Sequence, residues 1–141
     1  PDVNVLVYAY RADSPMNEPY RDWLRAVVVG RDVVGLTDIT ASGFLRIVTN
    51  RKVFADPSPV APAVQFLTRL LEAPQVRWVG ESQSSWRSFA HIADEDAGVV
   101  GNRVPDAFLA AIALAHGARV ATADRGFGRY ARLQFFDPAQ G

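Results

Sequence analysis

Three aspartates stand out by type and setting. Asp2 opens the run D-V-N-V-L-V-Y-A, Asp106 lies in V-P-D-A-F-L-A-A-I-A-L-A-H-G, and Asp124 closes A-R-V-A-T-A-D. Carboxylates are hard oxygen donors, and a cluster of them has one common use, holding a divalent cation such as Mg²⁺. The chain has no Cys, and its two His, His91 and His116, are far apart in sequence. The softer donors of a zinc site are therefore missing. The chemistry expected of such a set is metal-assisted hydrolysis of a phosphodiester. No Ser–His or Cys–His pairing competes as a nucleophile.

The elements that must carry these residues follow from periodicity and punctuation. Val3 to Tyr8 is a nearly continuous apolar run and reads as a strand buried on both faces. Asn17 to Val29 has helical spacing, with Tyr20, Trp23, Leu24 and Val27 on one side and Gly30 at its end. Val33 to Leu36 predicts a second strand. Thr37 or Asp38 can cap the helix that follows, whose apolar residues are Ile39, Phe44, Leu45 and Val48. A Pro-rich connection, Phe54 to Pro59, leads to an amphipathic helix from Ala61 to Leu71 with Val64, Leu67, Leu70 and Leu71 inward. A brief strand, Val76 to Val79, and a helix, Ser82 to Asp96, come next. Ala97 to Val104 reads as a loop. Pro105 suits the first turn of a helix running from Asp106 to His116 and capped by Gly117. Arg119 to Ala123 and Leu133 to Phe136 are the last strands. Strands alternating with helices predict an α/β fold with a parallel sheet covered on both faces.

In such a sheet, sites form outside the carboxyl ends of the strands. Asp124 fits that rule, and Asp106 at a helix N-terminus sits where an anion is favoured. Asp2 is expected to begin its strand, which by this rule alone is the wrong end. Asn4 lies two residues on; in a strand it shares a side with Asp2 and would orient it or satisfy buried backbone groups. Thr122 stands in the same relation to Asp124 and is expected as a supporting donor. Asn102 reads as a turn residue. Asp94-Glu95-Asp96 is the densest acidic run, but it ends a helix, where the dipole disfavours anions, and reads as a solvated face. His116 reads as a helix C-terminal cap. Trp23, Trp78 and Trp86 read as core rather than as base-stacking platforms.

The bulk numbers are ordinary. The chain has 141 residues, 49% hydrophobic and 21% charged, with zero formal net charge, so it is expected to be one soluble domain, residues 1–141, with no global field toward a polyanion. The cations are lopsided, fourteen Arg against one Lys, Lys52. Arg suits phosphate recognition, although a GC-rich genome favouring Arg codons explains the bias as simply. The absence of Cys fits a reducing compartment. With no spanning apolar run and no signal peptide, a cytoplasmic protein without a membrane is expected. The opening Pro1-Asp2, without an initiator Met, is expected of a trimmed start.

D-V-N-V-L-V-Y-A (2–9) resembles the opening of the PIN domain, in particular the VapC toxin ribonucleases of type II toxin–antitoxin systems, where D-T-N-V-L-(V/I)-Y-A is the usual form. The similarity recurs in G-F-L-R-I-V-T-N (43–50), in G-N-R-V-P-D-A-F-L-A-A-I-A-L-A-H-G (101–117) and in A-D-R-G-F-G-R-Y (123–130). The resemblance implies a three-layer α/β/α fold around a mainly parallel sheet of about five strands. It also implies Mg²⁺ dependence, with Mn²⁺ as a substitute, RNA cleavage, a homodimer and neutralisation by a small VapB-like antitoxin. In that fold the first aspartate does reach the acidic pocket.

By position, Asp2, Asp106 and Asp124 match three of the family's acids, as catalytic and metal-binding residues expected to converge in one pocket. The family often has a fourth acid, a Glu, where this chain has Gly43, and close relatives often read T-D-R-D-F where this chain has Gly126. Fewer carboxylates should weaken cation affinity, and a Glu at position 43 is expected to restore some of it. Asp38 either substitutes for the missing acid or caps its own helix, and capping is the better supported role. Arg46, Arg103, Arg125 and Arg129 lie near the matched segments and are the expected RNA contacts.

The leading expectation is an endoribonuclease toxin. The alternative, motivated by Gly43 and Gly126, is a PIN-fold RNA- or antitoxin-binding protein with a weakened or inactive site. A phosphatase or response-regulator-like domain lacks support, since no Asp at the end of the first strand faces a Lys.

Overall fold

The computed structural model describes residues 1–140 and divides into two compact units, Pro1–Val79 and Gly80–Gly141. The first unit holds α1 (Val3–Tyr10), α2 (Asn17–Val29), β1 (Val34–Leu36), α3 (Asp38–Val48), α4 (Val60–Glu72) and β2 (Val76–Trp78). β1 and β2 pair in parallel, Val34 opposite Val76 and Leu36 opposite Trp78. The core gathers Val5, Leu6, Tyr20, Leu36, Phe44 and Val48, all essentially without exposure. The rings of Tyr10, Phe44 and Phe66 pack mutually at 5.1–5.4 Å between centroids.

The run expected as the first strand is a helix. Asp2 is its N-cap, with Oδ1 accepting from the Val3 N–H at 2.6 Å, and Val5, Leu6, Val7 and Ala9 are buried. A short apolar run buried on all sides has no polar position to reveal its period, so β-rich composition alone misleads. The correction removes one strand. Among the described residues there are four, in two parallel pairs, rather than about five in one sheet. It also removes the strand argument for Asn4, which is exposed in the first turn of α1.

The other elements of this unit lie close to their expected bounds. Thr37 rather than Asp38 caps α3, through Oγ1 accepting from the Thr40 N–H, and Asp38 is the exposed first helical residue. On α4 Leu67 and Leu70 are inward as expected, but Val64 points out and Ala63 takes the buried place. Trp78 is exposed rather than core.

One buried cation ties the Pro-rich connection down. Arg11 donates to both carboxylate oxygens of Asp13, at 2.8 and 2.5 Å, and to Asp56 O and Ser58 Oγ at 3.0 Å each, with its guanidinium 4.2 Å over the Phe54 ring. The hydrogen bond from Arg11 holds the Asp13 carboxyl below its ordinary range. A depressed carboxylate pKa contributes stability above the unfolded-state value, about 3.9, and that contribution is lost as pH falls through the folded-state value. Wild type is therefore expected to melt above Asp13→Asn at neutral pH, with the gap closing in acid. Thermal melts of both proteins across pH would show it, and a gap unchanged in strong acid would disprove the linkage.

The second unit holds α5 (Gln83–Glu95), α6 (Arg103–Ala115), β3 (Arg119–Ala121) and β4 (Gln134–Phe136), with a 3₁₀ turn at Arg125–Arg129 and another at Pro138–Gln140. β3 and β4 are parallel neighbours. Ser82 caps α5 in a reciprocal arrangement with Ser85, which satisfies two otherwise unpaired N–H groups. α6 begins three residues before its expected start, so Pro105 and Asp106 both lie in the first turn. Gly117 ends the helix region with φ of +59°, a backbone conformation that costs glycine nothing.

The core of this unit is built on small residues of α6, Ala107, Ala110, Ala111 and Ala113, with Leu109, Val120, Phe127, Tyr130 and Ile92. Phe89 and Phe108 stack at 3.9 Å between α5 and α6. Trp86 lies over them but stays 58% exposed, so it is a lid on this seam rather than core.

Candidate functional site

In the second unit one pocket, of about 170 Å³, is lined by Arg103, Asp106, Asp124, Gly126, Phe127, Arg129 and Tyr130. Asp106 comes from the first turn of α6. Asp124 comes from just beyond β3, at the carboxyl end of the parallel pair, where α/β sites form. Its position is fixed locally. The Thr122 N–H donates to Phe136 O across to β4, at 2.9 Å. The buried Thr122 hydroxyl accepts from the Asp124 N–H, also at 2.9 Å. The Asp124 carboxylate in turn caps the 3₁₀ turn, accepting from the Gly126 N–H at 2.7 Å. Thr122 thus supports Asp124 as an acceptor to its backbone.

Gly126 has its own steric reason. A Cβ there would stand 2.9 Å from Asp124 Oδ1, so the bare backbone lets the N–H reach the carboxylate. Phe127 and Tyr130 are three residues apart, the spacing that aligns side chains on a 3₁₀ turn, and their rings meet edge to face at 5.7 Å. Tyr130 is 5% exposed. Its hydroxyl is held above the ordinary phenol range by burial first and by the negative charge of Asp106 second. A phenol that stays protonated keeps its O–H as a hydrogen-bond donor.

Asp96 ends the acidic run as the C-cap of α5, accepts from the Gly98 N–H at 2.8 Å, and lies 3.7 Å from Arg129 Nε. Asp94 and Glu95 are solvated as expected, Glu95 facing His91 at 3.3 Å. His116 is the C-cap of α6.

In the first unit Asp2 is 5% exposed. The backbone just before it is anchored by two buried hydroxyls in series: Thr37 Oγ1 donates to Thr40 Oγ1 at 3.0 Å, and Thr40 Oγ1 donates to the Pro1 carbonyl at 3.1 Å. Gly43 faces α1. A Cβ there would lie 2.6 Å from Val3 Cγ2. Arg46 is exposed in the last turn of α3, and Arg125 is exposed at the start of its 3₁₀ turn and does not line the pocket.

The structure therefore brings together Asp106, Asp124, Arg103 and Arg129. Sequence reasoning missed Tyr130 and the Asp96–Gly98 turn. The signal for Tyr130 was the i, i+3 spacing from Phe127 directly after Asp124; the turn carried none. The two pocket carboxylates are hard oxygen donors of the kind Mg²⁺ or Mn²⁺ takes, with no sulfur or imidazole among the lining residues. Among the described residues no group of three or more His, Asp or Glu side chains stands as a ready-made metal cage.

Residues 1–133 match the PIN domain family model. The chain is 41% identical over 140 residues to Ribonuclease VapC43 of Mycobacterium tuberculosis, covering 99% of this chain and 95% of that one. It is 33% identical over 137 residues to Ribonuclease VapC31 of the same organism, covering 97% and 96%. Among solved structures it is similar to the crystal structure of VapBC2 from Rickettsia felis bound to a DNA fragment from their promoter, with a TM-score of 0.71, 17% identity, and coverage of 96% of this chain and 94% of that chain. The chain belongs to the PIN-domain family, on its VapC ribonuclease branch, and has the PIN fold.

Proposed function

We propose that this protein is a metal-dependent endoribonuclease toxin of a VapBC-type toxin–antitoxin system. The observation that carries it is the pairing of Asp106 and Asp124 in one pocket, in a chain whose relatives are VapC ribonucleases. Asp106 and Asp124 are the residues that would hold Mg²⁺ or Mn²⁺. Asp2 is assigned as the third acid by the match of its segment, with Thr122 as a supporting residue and Arg46, Arg103 and Arg125 as RNA contacts. A bound divalent cation supplies a lowered water pKa and charge neutralisation at the phosphate. The protein's own groups do the rest. Thr122 and the Gly126 N–H keep Asp124 in place, Tyr130 lines the pocket with a protonated phenol, and the arginines attract the substrate backbone.

The test is cleavage of a panel of tRNA and ribosomal RNA fragments by the purified protein in Mg²⁺ or Mn²⁺, against a chelator control and Asp124→Asn. Cleavage that needs both the metal and Asp124 is expected. Cleavage that survives Asp124→Asn would trace to a contaminant and sink the assignment. A second reading, an RNA- or antitoxin-binding protein with a weakened site, is favoured by the Val3 side chain standing where a Cβ at position 43 would go. It predicts RNA binding without cleavage in either metal.

The same function calls for a VapB-like antitoxin, a homodimer and a cytoplasmic setting. No helix of the described residues is long and apolar enough to cross a membrane. Within the first unit, Val60 and Val64 of α4 are 58% and 45% exposed and Val53 is 54% exposed. Val60 and Val64 are one helical turn apart, an anchor spacing suited to an amphipathic partner helix. Co-expression with the neighbouring gene product, followed by light scattering, tests the pairing. A monomer that retains no partner would rule it out.

A further inference from the structure

We propose that Arg103 and Arg129 together form a seat for one RNA phosphate at the rim of the Asp106–Asp124 pocket, an inference that rests on the ribonuclease reading and gives its site a substrate-binding half. The two side chains come from different elements, Arg103 from the start of α6 and Arg129 from the end of the 3₁₀ turn, and both line the pocket. They converge on a bare backbone. Arg103 Nη1 lies 3.1 Å, and Arg129 Nη1 3.7 Å, from where a Cβ on Gly98 would be. Any side chain at position 98 would meet Asp96 Oδ1 at 2.8 Å and then Arg103, so glycine leaves room for Asp96 and both arginines around one point.

Asp96 stands beside the two like charges, and their present contacts are loose. Arg103 Nη1 reaches the neutral Gly98 carbonyl at 3.4 Å, near the limit for a hydrogen bond. Arg129 Nε is 3.7 Å from Asp96 Oδ2, while Asp96 Oδ1 is already taken by the Gly98 N–H. A guanidinium offers five N–H donors, and these contacts engage at most one on each.

The ligand class follows from charge. Counting Asp96 beside Arg129, three carboxylates face two guanidinium groups when the site is empty. A divalent cation on the carboxylates would leave the arginine rim in positive excess, ready for a phosphodiester anion that two guanidinium forks can grip. Metal and phosphate would then bind as mutually supporting halves of one site.

The experiment compares wild type with Arg103→Gln, Arg129→Gln and the double variant. Binding of a fluorescein-labelled single-stranded RNA in Ca²⁺ is followed by anisotropy across a salt series, and Mn²⁺ binding is followed by calorimetry. Each single change is expected to weaken RNA binding about tenfold and the double about a hundredfold. The salt slope should flatten by about 0.7 per lost phosphate contact on a single strand. Mn²⁺ affinity should hold or tighten, because a positive charge beside the carboxylates has been removed. That divergence separates a phosphate seat from a structural brace, since a damaged pocket loses both ligands together. RNA and Mn²⁺ affinities falling in step would overturn the proposal, as would a double variant that binds RNA like wild type with the same salt slope. Failure of wild type itself to bind RNA would bring down the ribonuclease reading along with it, so the two failures are told apart by the wild-type curve.

Discussion

Asp106→Asn is expected to abolish metal-dependent RNA cleavage while leaving the protein folded. The side chain keeps its shape and loses one charged oxygen donor from a pocket that has two carboxylates. Losing one group that stabilises transition-state charge typically costs about 10²–10³ in rate, and a metal site reduced to one pocket carboxylate should fall at the upper end. Stability should move little, because Asn keeps the shape of the Asp106 side chain at the pocket wall. Asp106 is also a cause, second to burial, of the raised Tyr130 pKa. In the variant the Tyr130 phenol should therefore titrate lower, while burial keeps it above its ordinary value. Single-turnover cleavage, thermal melting and an ultraviolet titration of the tyrosines read these three effects. A folded variant with wild-type cleavage would end Asp106's assignment. An unfolded one would move it from chemistry to structure.

Much of the fold was legible because helices at the surface must show their period. Asn17–Val29 is bounded as its spacing predicts, with Tyr20 and Leu24 buried and Gly30 closing it. Asp124 was legible for a related reason. A strand followed by a polar residue at its carboxyl end is a place where α/β proteins put ligands. The first segment was not legible. Val3-Asn4-Val5-Leu6-Val7-Tyr8 has the composition of a central strand, yet it forms a helix capped by Asp2. As a helix it no longer sets Asp2 at the wrong end of a strand. Asp2 caps α1, Asp106 lies in the first turn of α6, and Asp124 caps a 3₁₀ turn. Each acid sits at the start of a helical segment, where the first backbone N–H groups have no partner within the helix.

What remained hidden depends on contacts between residues far apart in sequence. The partnership of Arg103 with Arg129 across Gly98 cannot be read from spacing, since it requires the turn after α5 to bring Asp96 and Gly98 beneath both side chains. Trp86 was misread because a long apolar side chain at helical spacing is ordinarily interior, whereas here α5 places it over Phe89 and Phe108 with its other face open.

Gly43→Glu is expected to destabilise the protein rather than simply to tighten metal binding. From the sequence resemblance alone a Glu is expected at this position, and the added carboxylate promised a stronger site. The structure puts Val3 in the way, with Cγ2 at 2.6 Å and Cγ1 at 3.5 Å from the new Cβ. Val is β-branched, and in a helix it has one strongly preferred rotamer, so it cannot swing aside cheaply while α1 stays packed. Overpacking of this kind costs about 1–3 kcal/mol. Val3→Ala removes both Cγ atoms and leaves the Val3 Cβ at 3.7 Å, an ordinary contact. The double variant Val3→Ala/Gly43→Glu should therefore recover most of the loss, giving a strong favourable coupling in a double-mutant cycle. With the clash gone, the new carboxylate adjoins the segment that carries Asp2, and Mn²⁺ binding in the double variant is expected to tighten by about tenfold over wild type. Denaturant melts of the four proteins measure the first effect and calorimetric titration the second. A single variant as stable as wild type would show that Val3 yields freely. A stable double variant with unchanged Mn²⁺ affinity would show that position 43 supplies no ligand, and that this branch of the family works without the fourth acid.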